Sequence, residues 1–197
     1  MDLTNLSLSE RIFLTATQPE TGQIEYIEVH EHEGKKDYLI EFRDWRPLIT
    51  GLVYPTHTAY DFGMKMLYVC DCDKIRQFEI SFQNTNGEDI IYSIEKGTLV
   101  EGIFCGGLAV DKFHNLHYID KTTNDINKIN RDLLLTEKYP VDLVTKLYSA
   151  AESTAVRNVS DLDIESEYLY WANDSHEDGH GGVHKAFTQP FIKKEPF

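Results

Sequence analysis

Residues 106–131 read GGLAVDKFHNLHYIDKTTNDINKINR, with three short apolar runs separated by two polar turns. The pattern predicts strands around Leu108 and Val110, over 116–120 and over 126–129, with turns over 111–115 and 121–125. Strands this short, joined by turns this short, form an antiparallel meander. Because a lone meander leaves both faces uncovered and is not stable by itself, the chain must contain further copies of it or another layer that packs on it.

The middle strand of this meander recurs about every 50 residues along the chain. The copies read LHYID, LYVCD, LYWAN and, most weakly, IFLTA, at residues 116–120, 67–71, 169–173 and 12–16. A short alternating segment precedes each copy, and a pair of mostly apolar residues three apart follows it, as half-buried strands require. The repeat units span approximately 6–42, 57–94, 107–145 and 160–187.

The remaining segments complete the prediction of secondary structure. Strand-like runs at 38–42, 90–94 and 141–145 have charged residues beside them, which is typical of outer edge strands. Gly63 and Asn115 suit turns that need a positive φ. Residues 131–136 can instead form a short helix, and 149–156 allow a helical turn.

These patterns favour one fold over its main competitor. We predict an all-β, β-propeller-like single domain over residues 1–197, with about four blades of four antiparallel strands. The alternative is a β-sandwich whose strands resemble one another by chance.

The Tyr-x-x-Asp and Tyr-Trp-Ala-Asn cores, with Gly-Leu-Ala-Val-Asp before the third copy, resemble the YWTD repeats of lipoprotein-receptor propellers. They are also similar to NHL repeats. The resemblance implies that the tyrosine or its neighbour wedges between blades, and that Asp71, Asp120 and Asn173 bond the backbone of an adjoining turn. The first copy has Ala16 in that place, and no copy has the complete Tyr-Trp-Thr-Asp. Propellers of both families usually have six blades, so four units form either a small closed ring or an incomplete one, whose apolar end faces need a partner.

The composition limits the possible partners. The formal net charge of −14 argues against nucleic acid and anionic membranes, because binding either requires Lys and Arg to neutralise phosphate, and it permits a basic protein or bound cations. No apolar run approaches the roughly 18 residues of a membrane span, and the N-terminus lacks the pattern of a signal peptide. We therefore predict no membrane insertion and favour a cytoplasmic protein, or an extracellular one if the chain is an excised fragment.

The odd number of cysteines, Cys70, Cys72 and Cys105, favours reduced, partly buried thiols.

The densest set of potential metal ligands is HEDGHGGVH at residues 176–184. His176, Asp178 and His180 are the predicted ligands, with chemistry that suits zinc. The alternative is a polar turn, since the glycines make a helix improbable. No nucleophile motif, phosphate loop or dinucleotide fingerprint is present. The sequence therefore predicts no catalytic residue and no cofactor, with calcium or zinc as the alternatives.

Three functions fit these observations. The first is a non-catalytic protein-binding or scaffold propeller, a subunit of a larger assembly in which a protein partner or a second copy completes the ring. The second, from resemblance, is a calcium-dependent lactonase or gluconolactonase, whose metal sits on carboxylates in the central channel. Asp61, Asp111 and Asp163 are the candidates for that role, although the Glu-Gly-Pro motif of that family is absent. The third is a fragment of a cell-surface receptor or ligand.

Overall fold

A computed structural model of the protein describes residues 13–18, 20–28, 46–85, 88–134, 144–174 and 181–188. These residues form four antiparallel sheets of three, four, four and three strands, and in each sheet the strands follow chain order. The all-β, propeller-like fold predicted from the sequence is confirmed. Within the described ranges no helix is long and apolar enough to cross a membrane.

The strand bounds are as follows. The first sheet contains β1 (Phe13–Gln18), β2 (Gln23–Glu28) and β3 (Arg46–Ile49). The second contains β4 (Pro55–Asp61), β5 (Met66–Asp71), β6 (Lys74–Thr85) and β7 (Glu88–Glu101). The third contains β8 (Cys105–Val110), β9 (Leu116–Asp120), β10 (Asp125–Ile129) and β11 (Thr145–Ser149). The fourth contains β12 (Val159–Glu165), β13 (Tyr168–Asn173) and β14 (Gly182–Phe187). Helix α1 (Arg131–Leu134) and a 3-10 turn (Thr154–Val156) lie where the sequence allowed helical structure.

Most of the predicted strands are confirmed, and one outer strand is not. The meander of 106–131 is β8, β9 and β10, and the run at 90–94 lies within β7. The outer strand predicted at 141–145 meets the observed one only at Thr145. The observed strand is β11, which pairs with β10 and buries Leu147 and Ser149, and residues 141–143 lie outside the described residues. Residues 38–42 and the alternating segment before residue 12 lie outside the described residues.

The turns between first and second strands also differ from the prediction. The residues with positive φ are Lys65, His114 and Ser166, so Gly63 and Asn115 do not serve that purpose. Gly63 is favoured by packing, because a Cβ there would clash with the ring of His114, which Asp61 holds in place.

Neighbouring sheets pack through three apolar clusters, one between each consecutive pair. Tyr68, Tyr118 and Trp171, the aromatic residues of the repeated strand, are 0, 3 and 5% exposed within these clusters, so they wedge between blades as the repeats imply. Strands β4, β8 and β12 contact one another in order. The described strands of the first sheet and those of the fourth do not form comparably extensive contacts with each other.

A disulfide between Cys70 and Cys105 joins the second sheet to the third, with the two Cα atoms 5.6 Å apart. The prediction of reduced thiols was therefore wrong for this pair. Packing of β5 against β8 brings two cysteines that are 35 positions apart in sequence within bonding reach. Cys72 is free and exposed.

Candidate functional site

The last residue of the repeated strand bonds to the backbone in the second, third and fourth copies, as the resemblance implies. Oδ1 of Asp71 accepts hydrogen bonds from the amides of Val53 (2.7 Å) and Tyr54 (2.8 Å). Asp120 accepts one from Thr122 at 2.8 Å. Asn173 accepts one from Gly182 at 2.9 Å. These side chains tie each sheet to its adjoining turns, so their oxygens serve the fold.

Asp61, one of the three carboxylates considered for a channel metal, bridges two sheets instead. It is buried at the end of β4, and its two oxygens lie 2.8 and 3.0 Å from Nδ1 of His114. His114 lies in the turn between β8 and β9, so the pair connects the second and third sheets. Oδ1 of Asp61 also accepts the amide of Met64 at 3.0 Å.

Asp111, the second carboxylate, is buried, and both of its oxygens accept hydrogen bonds. It accepts hydrogen bonds from the amides of Phe113 and Asn115, both at 2.9 Å. The side-chain amide of Asn115 (2.8 Å) and Nε2–H of His117 (3.0 Å) also donate to it. Burial raises the pKa of Asp111, but the hydrogen bonds from His117 and Asn115 outweigh burial and bring the pKa to about 2. The carboxylate is therefore ionised at neutral pH and serves the turn.

Asp163, the third carboxylate, occupies a different place in the repeat. It lies within β12, is exposed and pairs with Tyr170, so it is equivalent to Ala59 and Ala109. The residue of the fourth sheet equivalent to Asp61 and Asp111 is Glu165.

No metal site is evident in the described part of the chain. There, no three His, Cys, Asp or Glu residues are arranged to hold a metal ion. His176, Asp178 and His180 lie outside the described residues, so that metal site stays a prediction.

A set of polar side chains on β4, β8 and β12 was not anticipated from the sequence. We call these three strands, the first of their sheets, the inner strands. β4, β8 and β12 each carry a register shift at the same place, and such bulges redirect side chains. His57 lies at the first bulge, and burial lowers its pKa, with the Asp161 carboxylate opposing and Lys121 adding to the effect. Within the described structure Nδ1 of His57 is buried without a hydrogen-bond partner. Gly107 makes room for Asp161, since a Cβ there would lie 2.9 Å from Oδ1. The repeated register shifts were not visible in the sequence, although Gly106-Gly107 hinted at one.

The fourth sheet exposes a face that the second and third sheets bury. Val183 pairs with Ala172, as Ile75 pairs with Cys70 and Ile126 with Ile119, so the three residues are equivalent. Ile75 and Ile126 are 0% exposed because the following sheet covers them, whereas Val183 is 77% exposed. We call this surface the open face.

The open face combines aromatic rings with charges. The rings of Tyr168 and Phe187 lie 4.9 Å apart, and Nζ of Lys185 lies 3.7 Å from the centre of the Tyr168 ring and 5.1 Å from that of Tyr170. Asp163 lies beside Tyr170 on the same face. The contact of Lys185 with the Tyr168 ring is a cation–π interaction, and aromatic residues are enriched at protein interfaces.

Comparison with known proteins supports the fold alone. No protein-family profile matches the chain, and no curated protein is similar to it in sequence. The crystal structure of a nidogen/laminin complex is similar at 16% identity and a TM-score of 0.57, over 89% of this chain and 57% of that chain. Hydrazine synthase of Kuenenia stuttgartiensis is similar at 11% identity and 0.56, over 89% and 42%. The PQQ-bound aldose sugar dehydrogenase of Streptomyces coelicolor is similar at 9% identity and 0.51, over 88% and 57%. The chain thus spans about half the length of the solved structures it matches.

Proposed function

We propose that the protein is a non-catalytic binding module of the YWTD or NHL propeller type, and that a partner protein docks on the open face. The observation that carries the proposal is the exposure of Val183, 77% against 0% for its equivalents Ile75 and Ile126. A face that is apolar and covered in two blades and bare in a third is suited to receiving a further sheet. One of the similar structures is itself a protein complex, that of nidogen and laminin.

Substitution on the open face tests the proposal. A tagged wild-type chain is used to capture partners, which are identified, purified and titrated against the wild type and Val183→Asp. We expect the variant to bind at least tenfold more weakly, because a carboxylate replaces the apolar side chain at the contact. Val53→Asp is the matched control, since Val53 is 65% exposed at a different place, before β4. Equal affinities of all three proteins would contradict docking on the open face.

A second copy is the other possible occupant. Light scattering on the purified chain gives this answer directly, because a monomer has a mass of 22.7 kDa and a dimer twice that mass. A dimer that Val183→Asp dissociates would show that the open face serves self-association.

The disulfide bears on the compartment. Because such bonds persist in oxidising surroundings, Cys70–Cys105 favours a secreted or cell-surface location over the cytoplasm expected from the sequence. Mass spectrometry of the protein from its native source, with and without reduction, tests this directly.

A calcium-dependent lactonase-like hydrolase is the second candidate. The observation that favours it is His57, kept neutral by burial near Asp161 and Lys121 at the inner-strand bulges. A neutral imidazole in that setting could act as a general base. The test is calorimetric titration with calcium together with a lactone hydrolysis assay. Activity lost in His57→Gln would support the candidate, and no heat and no turnover would exclude it.

A further inference from the structure

We propose that the partner of the open face brings a lysine or arginine side chain to Asp163. The inference rests on the proposed function and names the chemistry of the partner. It follows from the place of Asp163 in the repeat and from the charges around it.

Asp163 occupies a position that the other blades bury. Its equivalents, Ala59 and Ala109, are 9 and 6% exposed because the next sheet packs on them. A sheet that covers the fourth blade in the same manner would remove the Asp163 carboxylate from water. Burying an ionised carboxylate without a counter-charge is strongly unfavourable, so we expect stable docking to place a cation opposite it.

The described part of this chain does not supply that cation. Oδ1 of Asp163 accepts the amide of Ile164 at 2.8 Å, and no described Lys or Arg forms an ion pair with it. Among the described residues, Lys185 is the cation on the open face, two strands across from Asp163. Its ammonium group lies over the Tyr168 ring and interacts with the hydroxyl of Tyr170 and the charge of Glu165. Since none of the described residues supplies the counter-charge, we assign it to the partner.

The remaining chemistry of the partner follows from how the sheets cover one another. The third sheet covers the second with Leu108, Leu116 and Tyr118, and the fourth covers the third with Leu162, Leu169 and Trp171. The expected partner surface is thus a β-sheet face with leucine and aromatic side chains around one basic residue. The net charge of −14 disfavours a second copy, because two acidic chains repel each other.

A selection with displayed β-hairpins as the probe tests the inference on the whole chain. A phage library of randomised hairpins is selected on the full wild-type chain and counter-selected on Val183→Asp. We expect the surviving hairpins to contain Lys or Arg among apolar residues. Their affinity should fall at least tenfold for Asp163→Asn and remain unchanged for the control Asp132→Asn, an exposed acidic residue on α1. A hairpin with its basic residue changed to Glu should in turn prefer Asp163→Lys.

The outcomes separate this inference from the proposed function. Hairpins that require Val183 but bind the wild type and Asp163→Asn equally would overturn the charge requirement and leave the open face as a docking site. Failure to recover any hairpin that depends on Val183 would overturn both.

Discussion

At the scale of single residues, Asp71 shows how much one repeated side chain stabilises. Its carboxylate is fully buried, accepts two backbone amides and lies 3.0 Å from Arg76. We expect Asp71→Ala to lower the free energy of unfolding by about 2–4 kcal/mol, since it leaves buried donors unsatisfied. Asp71→Asn keeps the acceptor oxygen and should cost about half as much. Urea denaturation measures both changes. A loss for Asp71→Ala no greater than for Asp73→Ala, an exposed residue two positions along, would contradict this role.

The pKa of Asp111 predicts a dependence of stability on pH. Its folded-state pKa is lowered from 3.8 to about 2. The stabilisation is therefore present above the unfolded pKa and is lost as the pH falls through the folded one. Between about pH 5 and pH 2 the wild type should lose about 2 kcal/mol relative to Asp111→Asn, which cannot ionise. Urea unfolding at several pH values measures the difference, and a constant difference would contradict the assignment.

The predicted metal ligands His176, Asp178 and His180 give a third test at this scale. If they bind zinc, calorimetric titration should show one site in the wild type and at least a tenfold weaker one in His180→Ala. His114→Ala is the control, because His114 pairs with Asp61 and lies far in sequence from residues 176–180. Identical titrations for the wild type and His180→Ala would remove the predicted site.

What the sequence could show about individual residues depended on repetition. Asp71, Asp120 and Asn173 were assigned correctly because three copies place the same kind of side chain at the end of the same strand. Asp163 was grouped with Asp61 and Asp111, although strand pairing sets it two positions away. The role of Asp111 could not be predicted from the sequence, since it depends on hydrogen bonds from side chains that the turn places beside the carboxylate.

At the scale of secondary-structure elements, the main prediction concerns how much the disulfide between β5 and β8 stabilises the fold. A cross-link between residues 35 positions apart lowers the conformational entropy of the unfolded chain. This stabilises the folded state by up to about 4 kcal/mol. We expect the Cys70→Ser/Cys105→Ser double variant to lose a large part of this stability in urea denaturation under oxidising conditions. Cys72→Ser is the matched control, because Cys72 is exposed and free, and it should unfold like the wild type. A double variant as stable as the control would mean that the bond does not stabilise the fold.

The elements themselves were predictable where turns are short and alternation is clear, as in β8, β9 and β10. The run predicted at 141–145 meets β11 only at Thr145, because the connection from β10 is long and sequence distance no longer gives the register. The cysteine pairing was missed for a related reason. It depends on which strands of neighbouring sheets touch, and the periodicity within one sheet does not specify this.

At the scale of the whole molecule, the sheets contact their neighbours in chain order, so each sheet is stabilised mainly by those beside it. The sequence predicted this arrangement from the four copies. It could not predict which faces are covered, since Ile75, Ile126 and Val183 are similar apolar residues in equivalent strands. Coverage is a property of the assembled sheets, and it distinguishes the fourth sheet from the third.

This difference predicts unequal local stability. β9 and β13 occupy the same place in their sheets and pair with a strand on each side. β9 is covered on both faces, whereas β13 is covered on one. Because uncovered strands open more easily, the amides of β13 should exchange with solvent at least tenfold faster, a difference of about 1.4 kcal/mol or more. Hydrogen exchange with mass spectrometry of peptides spanning the two strands measures this. A hairpin bound to the open face should slow exchange in β13 and leave β9 unchanged, while equal rates in the free protein would mean that the sheets open as one unit.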